Sequence, residues 1–172
     1  MHSIQIALIV FVAVALGALK VFSTLRGRAA KAEDYYLKKS LFSPAERSFL
    51  GVLQVVIRQG VSLECKVRLA DIFGIKKGLE RDDRQRAFNR ICSKHVDFLL
   101  VQESDGRPLL GIELDDSSHD EYDRIARDKF VDSVFVSGGL PILHFEVKQA
   151  YDQNEVRRRI TGALDSKAQG AD

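Results

Sequence analysis

Three carboxylates hold the chemistry this chain could perform. Asp97 stands near the start of the apolar run Val96-Asp97-Phe98-Leu99-Leu100. Glu113 and Asp115 close a second run, Gly111-Ile112-Glu113-Leu114-Asp115, with Asp105-Gly106 between the two. Two apolar runs joined by Asp-Gly read as a β-hairpin, and strand side chains alternate faces, so Glu113 and Asp115 project from one side with Asp97 beside them. Acids gathered in this way repel one another unless a proton or a cation lies between them. Hard oxygen ligands suit Mg²⁺ or Mn²⁺, which makes Asp97, Glu113 and Asp115 the candidate metal ligands. The plainer alternative is a set of solvated acids at strand ends.

The elements that must position these acids follow from periodicity. Ser43-Pro44-Ala45-Glu46 has the form of a capping box with proline at the first helical position, and Phe49, Leu50, Leu53, Val56 and Ile57 continue at helical spacing to Gly60. The cap already accounts for Glu46. Val61, Leu63, Cys65, Val67 and Leu69 alternate with polar residues, a half-buried strand. The charged stretch Lys76 to Arg90 ends in a short helix bearing Ala87, Phe88 and Ile91. Its Arg84, Arg86 and Arg90 are either a solvated face or a grip on a phosphate backbone. Beyond the hairpin, Tyr122, Ile125, Phe130, Val131, Val134 and Phe135 predict a helix from about Glu121 to Ser137. A buried strand over Leu140 to Val147 and an amphipathic helix from Asn154 to Leu164 follow it. Helix, strand, hairpin, helix, strand describes an α/β domain, a mixed sheet flanked by helices.

Four segments are expected along the chain: an anchor over 1–22, a basic tether over 23–40, a folded domain over 41–164 and a polar tail over 165–172. Ile4 to Leu19 carries no charge, and continuation to Phe22 gives roughly 28 Å of helix, close to the thickness of a bilayer core. This predicts one N-terminal transmembrane helix that contacts the lipid bilayer through residues 4–22. Peptidase cleavage at Ala15-Leu16-Gly17-Ala18 is the alternative, although no basic stretch precedes Ile4. Arg26, Arg28 and Lys31 follow the span, so the positive-inside rule places the folded domain in the cytoplasm of a single-pass inner-membrane protein. With 26 basic and 24 acidic residues, the net charge of +2 neither requires nor excludes a polyanionic partner. Cys65 and Cys92 form no CxxC pair and read as reduced thiols. Nothing in the sequence specifies an oligomeric state.

The element order, with Asp97, Ile112-Glu113-Leu114-Asp115, His119, Arg127-Asp128 and Gly139-Leu140-Pro141-Ile142-Leu143, resembles the restriction-endonuclease-like superfamily, whose signature is PD-(D/E)xK. Within it the chain is most similar to the branch of the very-short-patch-repair endonucleases and to the membrane-anchored domain of unknown function 2726 family. The likeness spans about residues 41 to 150. It implies a restriction-endonuclease-like sheet with Asp97 and Glu113 as ligands of a Mg²⁺ that polarises a phosphodiester and activates water. Asp115 stands where the signature usually has lysine. His119 is then the candidate general base or phosphate donor, and Lys66, Arg127 or Lys129 the candidates to restore the missing charge. His144 occupies a position where the related pattern commonly has arginine. The implied partner is DNA, contacted by Arg84, Arg86, Arg90, Arg127 and Lys129, and the implied activity is a membrane-anchored nuclease facing the cytoplasm. The alternative is an inactive binding module on the same fold, which would need no cation close to the acids.

Overall fold

The computed structural model of the chain describes residues 30–115 and 121–169, with 5, 11 and 15–17 in addition; for 121–128 and 167–169 it describes the backbone alone. Most of the expected anchor, together with His119 and the side chain of Arg127, therefore lies outside the described residues. Among the described residues, no helix is long and apolar enough to cross a membrane. The chain divides into two compact units, Met1–Leu41 and Phe42–Asp172. In the first, a single 3₁₀ turn, Ala32–Asp34, is closed by the Asp34 carboxylate, which accepts the Lys31 N–H at 2.8 Å.

The second unit is built on a four-stranded mixed sheet. It opens with helix α1 (Pro44–Val56), where Ser43 and Glu46 exchange the two hydrogen bonds of a capping box and Pro44 fills the first turn. Strand β1 (Val61–Arg68) runs into a single-turn helix α2 (Leu69–Ile72), and helix α3 (Arg81–Ile91) precedes the hairpin of β2 (His95–Gln102) and β3 (Pro108–Asp115). Helix α4 (Glu121–Ser137) crosses to β4 (Ile142–Glu146), and α5 (Gln153–Gln169) ends the described chain. The sheet order is β1-β2-β3-β4, antiparallel except for the parallel β3–β4 pair that the α4 crossover makes possible.

Each face of the sheet buries its own core. Phe49 and Leu53 of α1 and Val156, Ile160 and Leu164 of α5 pack against Phe98, Leu100, Leu110, Ile112 and Phe145. On the other face Leu69, Ile91, Val131 and Phe135 cover Val96, Leu99 and Val101. The expected hairpin forms, with Gly106 in the left-handed region at φ 70° and its N–H bonded to the Gln102 carbonyl at 2.8 Å. Three local expectations shift. α2 was not anticipated, because one turn is too short to show a period. β4 begins after Pro141 rather than at Leu140, since Leu140 closes the end of α4 through its N–H to the Phe135 carbonyl. α5 runs to Gln169, so residues 165–169 continue a helix where a polar tail was expected.

Gly111 of β3 faces the Phe135 ring of α4. A Cβ built there would run into the fully buried Phe135 ring, 2.7 Å from its Cζ. The ring has no room to yield, so Gly111→Ala should cost about 1–3 kcal/mol of stability by overpacking. Urea denaturation of the two proteins measures this, and equal midpoints would contradict the packing described.

Candidate active site

The strand register sets four ionisable side chains in one row across the sheet. Cys65 pairs with Phe98 and Val67 with Val96, which sets Lys66 opposite Asp97. Phe98 pairs with Ile112, so Asp97 comes level with Glu113, and in the parallel pair Glu113 stands beside His144. The row crosses the sheet at one end, where β1, β3 and β4 finish and β2 begins.

Lys66 organises this row. Its ammonium donates to Asp97 Oδ1 at 2.7 Å and to Glu46 Oε1, joining β1 to β2 and to the first turn of α1. The Lys66 backbone is in the left-handed region at φ 54°, a conformation that costs a non-glycine residue energy and often accompanies function. It also changes the side each strand residue faces. Cys65 and Phe98 belong to the α1–α5 core, whereas Val67 and Val96, just past Lys66 and Asp97, belong to the opposite one. Burial pulls the Lys66 pKa down, but hydrogen bonds to Asp97 and Glu46 outweigh it and hold the ammonium above its ordinary value. The charge is therefore permanent at any physiological pH.

Asp97 and Glu113 form the acidic centre. Asp97 Oδ2 accepts the Leu114 N–H at 3.1 Å, a donor available because the β2–β3 ladder stops at Phe98 and Ile112. Glu113 is hydrogen-bonded to Asp97 and half-buried, and burial first, then the negative charges of Asp97 and Asp115, push its pKa up to about 9.

Asp115 behaves differently from the other two acids. Both of its oxygens lie 3.2–3.3 Å from His144 Nδ1, and His144 Nε2 meets Asp132 Oδ1 of α4 at 2.9 Å. Burial lowers the His144 pKa, yet the hydrogen bonds to Asp115 and Asp132 more than compensate and raise it. Among the described residues, no three His, Cys, Asp or Glu side chains form a group that could hold a metal ion. The chemistry of the donors fits a hard divalent cation on the two carboxylates of Asp97 and Glu113, since Mg²⁺ commonly takes one or two carboxylates and completes its shell with water and substrate.

Of the basic residues expected to meet nucleic acid, Arg86 is paired with Asp83 at 2.5 Å and Arg90 lies over the Phe130 ring, 4.0 Å from its centroid. Arg84 and Lys129 are exposed. Lys148, Tyr151 and Arg159 line a cavity of about 450 Å³ beside His144, and Arg159 donates to the His144 carbonyl at 2.7 Å. Cys65 and Cys92 are free and half-buried. Glu46 and Asp132 were not anticipated in the site. The capping box had accounted for Glu46 fully, yet its second carboxylate oxygen is left over for Lys66.

A family model described as a protein of unknown function (DUF2726) matches residues 38–164. No curated protein and no solved structure matches the chain.

Folding raises the Glu113 pKa, so the folded chain keeps a proton that the unfolded chain releases. The stability tied to that proton is complete below the ordinary glutamate range and is lost as pH climbs through about 9. With a chelator present, the melting temperature should therefore fall between pH 5 and pH 9, and Glu113→Gln should flatten the profile and gain roughly 5 °C at the alkaline end. Parallel profiles for the two proteins would show that Glu113 is not the buried proton carrier.

Proposed function

We propose that this chain, which belongs to the DUF2726 family, is a metal-dependent nuclease that hydrolyses DNA phosphodiesters and is anchored to a membrane through residues 4–22 with its folded domain in the cytoplasm. The antiparallel β1-β2-β3 with β4 added in parallel by a helical crossover supports the restriction-endonuclease-like reading of the sequence. The observation that carries the activity is the Lys66 ammonium at 2.7 Å from Asp97. A binding module does not need a replacement positive charge beside the acids, although the same ammonium also serves as a structural tie. A nuclease needs one, because Asp115 occupies the usual lysine position on β3.

Asp97 and Glu113 would hold Mg²⁺ or Mn²⁺, which when bound supplies Lewis acidity toward the phosphodiester. Lys66 spends two of its three ammonium hydrogens on Glu46 and Asp97 and keeps one to donate to a phosphate oxygen, where negative charge grows as phosphorus is attacked. Glu46 and Asp97 hold that charge in place, so little reorganisation is needed during reaction. His119 keeps its proposed role as base or phosphate donor. The basic run after Phe22 and the apolar stretch before it support the anchor and its orientation.

Purified chain should cleave single- or double-stranded DNA in Mg²⁺ or Mn²⁺. Lys66→Met should lower the rate by roughly a hundredfold or more, the scale of one lost electrostatic contact to the transition state. It should leave in place DNA affinity and the rise in melting temperature that Mg²⁺ or Mn²⁺ binding to the folded chain is expected to produce. Glu113→Ala should remove both cleavage and the metal response, whereas Arg84→Ala with Arg86→Ala should weaken binding and reduce its salt dependence. Wild-type chain that binds DNA and metal yet cleaves no substrate would leave the binding module as the function.

The anchor has a separate check. A reporter fused after Asp172 should be active in the cytoplasm, and activity on the far side of the membrane would reverse the orientation.

A further inference from the structure

His144 links two carboxylates that its neighbours in the sheet do not explain. Asp115 follows Glu113 by two residues on β3, on the same face, close enough for its charge to raise the Glu113 pKa. A cation held by Asp97 and Glu113 would attract it as a third ligand. Its main chain is fixed by the Val147 N–H, which donates to the Asp115 carbonyl at 2.9 Å, so only the side chain is free to choose. That choice is made by His144, whose Nδ1 takes both Asp115 oxygens while Nε2 is braced by Asp132 at 2.9 Å. The brace comes from α4, which shares no strand with the acids.

We propose that His144 is a positioning residue that sets the ligand count of the cation site: clamped between Asp132 and Asp115, it holds Asp115 off Asp97 and Glu113 and keeps the site a two-carboxylate one selective for Mg²⁺ over Ca²⁺. The inference rests on the metal site proposed above and adds what decides which cation that site takes. Mg²⁺ accepts few protein carboxylates and keeps its water, whereas Ca²⁺ seeks more oxygen ligands and gains from each added carboxylate. A released Asp115 favours Ca²⁺.

The test is a double-mutant cycle on the whole chain, read as Mg²⁺ and Ca²⁺ dissociation constants from calorimetry and not as activity. His144→Ala should tighten Ca²⁺ binding about tenfold, the lower end of what residues behind metal ligands contribute, with a much smaller change for Mg²⁺. Asp115→Asn should have little effect in the wild-type background and should abolish the gain in the His144→Ala background. Asp132→Ala keeps the imidazole and removes only its brace, so it should move Ca²⁺ affinity in the same direction by less, and it serves if His144→Ala fails to fold. A gain that persists with Asp115→Asn, or equal changes for both ions, overturns the inference and leaves the metal site standing. No Glu113-dependent binding of either ion overturns both.

Discussion

The ammonium of Lys66 is the interaction on which the rest of the site depends. Glu46, Asp97 and Glu113 bring three carboxyls to one half-buried corner, and like charges withdrawn from water cannot all stay ionised without compensation. Lys66 compensates two of them directly, and the third keeps its proton. The same nitrogen is a structural tie, because its partners lie on the first turn of α1 and at the start of β2, segments that no backbone ladder connects. Glu46 closes the arrangement with one oxygen on the Ser43 N–H and the other on Lys66, so the helix cap and the site share a carboxylate.

The sheet converts that tie into a working row. Both faces are covered by helices, so the side chains that reach solvent with functional groups are those at the strand ends. At this end the antiparallel and parallel registers bring Lys66, Asp97, Glu113 and His144 level on four successive strands. A lysine and a histidine thus flank a pair of acids, with β1 supplying the first and β4 the second. The left-handed backbone at Lys66 belongs to the same design. It marks the point where β1 changes which core it faces, and its energetic cost is sustained by the two carboxylates that hold the side chain.

The hairpin and the longer helices were legible in the sequence because each is written locally: an Asp-Gly turn between apolar runs, a capping box with Pro44, and apolar residues at helical spacing before Gly138-Gly139. The proximity of Asp97 and Glu113 was legible for the same reason. What could not be read is whatever depends on register between distant strands. Alternation along β1 shows that Lys66 points away from Cys65, but only the pairing of β1 with β2 sets it against Asp97. Lys66 therefore stood among three possible donors, with Arg127 and Lys129. Asp115 was grouped with Asp97 and Glu113 from spacing along β3 alone, which carries no information about β4. Through a crossover of more than twenty residues, His144 arrives beside it and engages its carboxylate through Nδ1 while Nε2 meets Asp132.

Placement of the cation on β1 has a mechanical consequence in the nuclease reading. A lysine on β3 would share its strand with Glu113, so any movement of that strand would carry the acid and the cation together. Here the ammonium comes from β1 across Asp97 and is braced from α1, which fixes it to a different part of the sheet. The acid pair and the cation are then aligned by the β1–β2–β3 registers rather than by spacing along one strand. This frees position 115 to carry an acid, which β4 meets with a histidine. Asp115 on β3, Lys66 on β1 and His144 on β4 are therefore joined through one set of charged contacts around Asp97 and Glu113.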